Sequence, residues 1–76
     1  MGKSLIRNQI RSLRFHHQEM TQQQLADRVG VTRQTIVAIE KEKYSPSLEL
    51  AFRIARVFGL PLEEVFSYED ELDEDK

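Results

Sequence analysis

Cysteine and tryptophan are absent from these 76 residues, and there are only two histidines, two prolines and three glycines. The lack of cysteine excludes a disulfide framework, a thiolate metal site and a thiol nucleophile. His16 and His17 are adjacent and have no third histidine to join them, so they read as solvated side chains and no metal is expected. No apolar run approaches the roughly 18 residues that a membrane span needs. Acid–base pairs, activated nucleophiles and cofactor motifs are missing as well, so neither an enzyme nor a cofactor is expected. The start, Met1-Gly2-Lys3-Ser4 leading into arginines 7, 11 and 14, does not resemble a secretory signal. Ile6 breaks the myristoylation pattern after Gly2. A cytoplasmic location is the expectation. What remains is one small domain with a thin core.

The formal net charge is −2, which taken whole argues against a polyanionic partner. Its distribution argues otherwise. Residues 68–76 hold six acids and one base, whereas residues 1–67 hold ten bases and seven acids. Within residues 1–43 the bases lead by eight to four. The chain is therefore read as a basic body, 1–67, and an acidic, disordered tail, 68–76.

Helical periodicity dominates the body. Ile6, Ile10 and Leu13 recur at i, i+4 and i+7 and predict an amphipathic helix over 4–16. Thr21 and Gln24 form a capping box, and Met20 with Leu25 a hydrophobic staple, so a second helix starts at Gln22. Gly30 ends it. Val31, Thr32 and Ile36 repeat the staple and cap, which predicts a third helix over 33–41. Ser47 caps a fourth helix with an apolar stripe of Leu48, Ala51, Ile54, Ala55 and Phe58, and Gly59 closes it. Leu60 to Phe66 holds a short last helix with two acids in its first turn, where the macrodipole favours them. Phe15, Phe52, Phe58 and Phe66 fall on inward stripes and are expected in the core or at an interface. No segment alternates with period two. The expected fold is all-α with five helices.

The central feature is a pair of short helices, 22–29 and 33–41, joined by a tight turn. Ala26 is small enough for the helices to cross closely, and Gly30 permits the turn. The arrangement leaves Thr32 to Thr35 projecting outward, on a helix narrow enough for the major groove of B-DNA, about 12 Å wide.

The run from Thr21-Gln22 through Leu25-Ala26 and Gly30-Val31-Thr32-Arg33-Gln34-Thr35-Ile36 to Ile39-Glu40 resembles the helix-turn-helix of Cro and phage-repressor-like regulators, the XRE family. Tyr44 to Ala55 is similar to the small stand-alone members, and the resemblance covers roughly residues 5–66. It implies a five-helix DNA-binding domain that acts as a transcriptional regulator, of repressor type, on double-stranded DNA. Arg33, Gln34 and Thr35, and less directly Ala38, fall where the family reads bases. The chemistry agrees: Arg pairs with guanine O6/N7 and Gln with adenine N6/N7. Gln22 corresponds to a residue that contacts phosphate and braces the recognition helix, and Thr32, Lys41, Lys43 and Tyr44 are candidate phosphate contacts. Arg14 and Glu40 resemble the family's structural ion pair. Glu42 stands where many members carry glycine; a positive φ there would cost about 1 kcal/mol.

A homodimer on a pseudo-palindromic site is expected, built on Leu62, Val65, Phe66 and Tyr68, because one recognition helix spans only a few base pairs. Two other readings compete. One is a protein-binding module, antitoxin-like or anti-repressor, that uses the acidic tail or the hydrophobic end. The other is a DNA coater without sequence preference. As a solubilising end, residues 68–76 can be deleted without changing affinity for random duplex, as fluorescence anisotropy would read it; tighter binding after deletion marks the tail as a competitor of phosphate.

Overall fold

The computed structural model describes residues 5–69. Its elements follow in the order β1 (Ile6–Asn8), α1 (Ile10–His16), α2 (Gln22–Val29), α3 (Arg33–Glu40), α4 (Leu48–Phe58), α5 (Leu62–Val65) and β2 (Phe66–Tyr68). The five expected helices are present, and a two-stranded antiparallel sheet accompanies them. In that sheet Ile6 faces Tyr68, Arg7 faces Ser67 and Asn8 faces Phe66.

The sheet corrects the expected start of the first helix. Residues 6–8 are strand, and the helix begins at Ile10. Asn8 makes the break. Its Oδ1 accepts the Ile10 amide at 3.1 Å, a local bond that competes with helix, and its Nδ2 donates to the Ile39 carbonyl at 2.9 Å. The sheet also moves the domain boundary. Tyr68 belongs to β2, and the Glu69 amide donates to the Leu5 carbonyl at 2.8 Å. A truncation that isolates the acidic tail therefore begins after Glu69; residues 70–76, the rest of the tail, lie outside the described residues.

The core forms where the helices meet. Ile10, Leu25, Val29, Ile36, Ile39, Ile54 and Val65 are its largest fully buried side chains, and Ala26 is also wholly buried between α2 and its neighbours. Met20 and Leu25 are both buried around the Thr21 cap, as a staple requires. On α4 the buried stripe is Leu50, Ala51, Ile54 and Ala55. Leu48 is 67% exposed, so the expected stripe was turned by half a helical turn at its start. Of the phenylalanines expected in the core or at an interface, Phe15 and Phe52 are 63% and 48% exposed and so lie outside the core.

Three helices end in the same turn. After α2 the Val31 amide reaches back to the Ala26 carbonyl; after α3 Lys43 reaches Ala38; after α4 Leu60 reaches Ala55. Each is the 6→1 bond of a Schellman motif, and each needs a left-handed residue. Gly30 at φ 80° and Gly59 at φ 68° supply two of them. The third is Glu42, at φ 63°. Gln18 and Glu19 are left-handed as well, at φ 60° and 54°, in the turn before α2. A Cβ built on Gly59 meets nothing within 4 Å, so only the backbone resists a side chain there. Gly59→Ala is expected to lower the unfolding free energy by about 1–2 kcal/mol in a urea melt.

Candidate nucleic-acid interface

The site is built on the α2–turn–α3 unit. Thr21 caps α2: its hydroxyl accepts the Gln24 amide at 3.0 Å, and the Gln24 side chain accepts the Thr21 amide at 2.8 Å. Gly30 then turns the chain in three residues to Thr32, whose hydroxyl accepts the Thr35 amide at 3.2 Å and caps α3. The Thr35 hydroxyl lies 3.1 Å from that of Thr32 and is drawn into the same cap. That leaves Arg33 and Gln34 as the exposed polar side chains of the first turn. Ala38, a turn further on, is half-buried.

One contact sets how α3 sits. Glu40, at the end of α3, receives Arg14 Nε at 2.7 Å and Arg14 Nη2 at 3.0 Å, a bidentate pair from α1. The Gln22 amide, at the start of α2, donates to the same carboxylate at 3.1 Å. Gln22 thus braces the recognition helix with one amide proton and keeps a second for another acceptor. The Arg14 and Glu40 side chains are only 14% and 9% exposed. Arg14 also donates to the Met20 carbonyl at 2.8 Å, which closes the strained turn before α2.

The structure brings Arg11, Gln22, Arg33 and Lys41 to one concave surface. Arg11 lies on the polar face of the first helix, and nothing local in the sequence shows that this face meets α3. Thr35 and Tyr44 line a second concavity, on the side of α4, with Arg53. Lys43 is exposed in the loop between them. Among the described residues, no hydrogen bond or ion pair engages the side chains of Arg11, Arg33, Lys41 or Lys43, and no three His, Cys, Asp or Glu converge as metal ligands.

Glu42, at φ 63°, is tied to β1 by its side chain. Its carboxylate accepts from Arg7 on β1, and Arg7 pairs with Glu69 as well. Glu69 first and Glu42 second raise the Arg7 guanidinium above its ordinary range. One expected interface residue is also corrected. Val65 is fully enclosed in its own domain and accepts the Gln9 amide on its carbonyl, so it has no surface to offer a second chain. Leu62 and Phe66 are half-buried, and Tyr68 is exposed.

A helix-turn-helix family model matches residues 10–65, and the chain belongs to that family, the XRE type expected from its motif. An uncharacterised HTH-type transcriptional regulator of Methanocaldococcus jannaschii is 52% identical over 66 residues, covering 87% of this chain and 98% of that one. One from Methanothermobacter thermautotrophicus is 56% identical over 66 residues, covering 83% and 90%. The cryptic phage CTXphi transcriptional repressor RstR of Vibrio cholerae is 35% identical over 60 residues, covering 79% of this chain and 53% of that one. The crystal structure of a candidate DNA-binding protein from Bacteroides fragilis superposes with a TM-score of 0.70 over 82% of this chain and 98% of that one; at 21% identity the likeness is one of fold. The chain is accordingly a transcriptional regulator with a helix-turn-helix DNA-binding domain, and its relatives are regulators rather than enzymes. Among the described residues no helix is long and apolar enough to cross a membrane.

Removing Arg14 strands a largely buried carboxylate. Arg14→Ala is expected to cost about 3–5 kcal/mol of stability. Glu49→Ala, which breaks the exposed i,i+4 pair with Arg53, is expected to cost under about 0.5 kcal/mol. Equilibrium urea unfolding of the two variants checks the contrast.

Proposed function

We propose that this regulator binds double-stranded DNA sequence-specifically as a homodimer, with α3 in the major groove of each half-site. The observation that carries the reading is the first turn of α3. It is capped, braced from behind by Glu40, and presents Arg33 and Gln34 outward with no partner for their side chains among the described residues. Arg33 reads a guanine and Gln34 an adenine by paired hydrogen bonds. The Thr35 methyl and Ala38 approach thymine methyls in a supporting role. Gln22, Thr32, Lys41, Lys43 and Tyr44 contact phosphate, with Arg11 added from the concave surface that it lines with Gln22 and Lys41.

Dimerisation follows from reach. A helix of eight residues spans about 12 Å, so one copy covers only part of a helical turn of DNA. The surface that supports pairing is a run of half-buried apolar residues, Val57, Phe58, Leu60, Leu62 and Phe66, packed over the core at the end of α4 and beyond. Tyr68 is exposed beside Phe66 on β2. Kinship with a phage repressor supports repression by occupancy of the site.

Arg33→Ala is expected to cost about 1–3 kcal/mol on a duplex obtained by selection and to relax preference at one base pair. Lys43→Ala is expected to weaken all sequences alike and to flatten the salt slope. Arg33→Ala binding its selected site normally would sink the base-reading assignment. Equal affinity for every duplex favours a coater, and no binding even at low salt favours the protein-binding module. A pure monomer in sedimentation, at high micromolar concentration with and without duplex, overturns the dimer.

A further inference from the structure

The three matching helix ends differ in one respect. Gly30 and Gly59 hold the left-handed position after α2 and α4, and neither carries a charge. After α3 the same position is Glu42, placed between Lys41 and Lys43. It is the only acid of residues 41–47. A free carboxylate there would face the same polyanion as its two neighbours and would offset one of them.

The carboxylate is not free. β1 grips this turn with two successive residues. Arg7 Nη1 donates to the Glu42 carboxylate, and Asn8 Nδ2 donates to the Ile39 carbonyl at 2.9 Å. That carbonyl also accepts the Glu42 amide at 2.9 Å, the inner bond of the turn. Arg7 Nε meanwhile donates to Glu69, just past β2, so the guanidinium is fixed at both ends of its fork. The Arg7 and Glu42 side chains are 34% and 25% exposed, which places the pair at the edge of the surface rather than in bulk solvent.

We propose that Arg7 is a positioning residue for DNA binding: by pairing with Glu42 it draws the one carboxylate of the loop after α3 onto β1, leaving Lys41 and Lys43 unopposed toward phosphate. The inference rests on the DNA-binding reading and on α3 facing the duplex. Arg7 itself touches no DNA. Its charge is spent on Glu42 and Glu69, unlike those of Arg11, Arg33, Lys41 and Lys43. The sheet thus does electrostatically for this turn what an uncharged glycine does for the other two.

A double-mutant cycle tests it, read by anisotropy on a labelled random-sequence duplex at about 50 mM and about 200 mM salt. Arg7→Ala is expected to weaken binding roughly fivefold at the lower salt and less at the higher, because a released carboxylate is screened. Glu42→Gly is expected not to weaken binding. In the Glu42→Gly background, Arg7→Ala is expected to change affinity by less than about twofold. An equal loss in both backgrounds overturns the proposal, since Arg7 would then act on DNA directly. No loss from Arg7→Ala in the wild-type background overturns it too. Circular dichroism melts confirm that each variant is folded at the assay temperature, and Arg7→Gln replaces Arg7→Ala in the cycle if the alanine variant is not. Absence of binding by the wild-type chain at either salt is a failure of the DNA-binding reading itself and is distinct from an additive cycle.

Discussion

The Glu40 carboxylate is the point on which the arrangement of the recognition unit turns. Three helices meet there, through Arg14 from the end of α1, Gln22 from the start of α2, and Glu40 itself from the end of α3. A charge pair this enclosed gains little net stability, because desolvation consumes most of the attraction. Its value is directional. Two parallel bonds from a planar guanidinium add a directional constraint on the rotation of α3 about its axis that apolar packing lacks. That rotation decides which side chains of the first turn face outward. Ile36 and Ile39 hold α3 down, and Glu40 decides which way it looks.

Backbone strain gathers around the same unit. Gln18, Glu19 and Glu42 are the described non-glycine residues at positive φ, and they lie in the turns just before α2 and just after α3. Each position is held by side-chain bonds from elsewhere. Arg14 closes the first turn by donating to Met20, and β1 holds the second through Arg7 and Asn8. Each turn is thus held by one anchored arginine, where a glycine would otherwise relieve the strain.

The net charge of −2 describes no surface of the molecule. In the body, Glu40, Glu42 and Glu49 are each paired with an arginine, and Glu63 and Glu64 sit in the first turn of α5. Among the described residues, Arg11, Arg33, Lys41 and Lys43 have no such partners. Because salt confines an exposed charge to about 8 Å under physiological conditions, a ligand at α3 responds to Arg11, Arg33, Lys41 and Lys43, with Glu19 beside them, rather than to the total.

Much of this was legible in the chain because it is local. The Thr21–Gln24 box, the Met20–Leu25 staple, the Thr32 cap and the left-handed glycines each involve residues within five positions, and the geometry of a helix end follows from them. Five helices, the tight turn and the exposed Arg33 and Gln34 come from that level. Other features depended on partners far along the chain. Residues 6–8 carry a helical period, yet pair with residues 66–68, because a strand is stable only beside its neighbour. Leu48, Phe15 and Phe52 fit an inward stripe by spacing alone, but a small core is already filled by Leu50, Ile54, Ile10 and Val65. Val65 shows the same limit from the other side, an apparent surface residue that the core had claimed. Arg7 and Glu42 stand 35 positions apart, and only the folded sheet puts them in contact. The sequence by itself determined the helices and their ends, through short-range hydrogen bonds and sterics. The tertiary structure decided which apolar residues the core would accept and where each charge would be spent, because burial and pairing depend on distance in space.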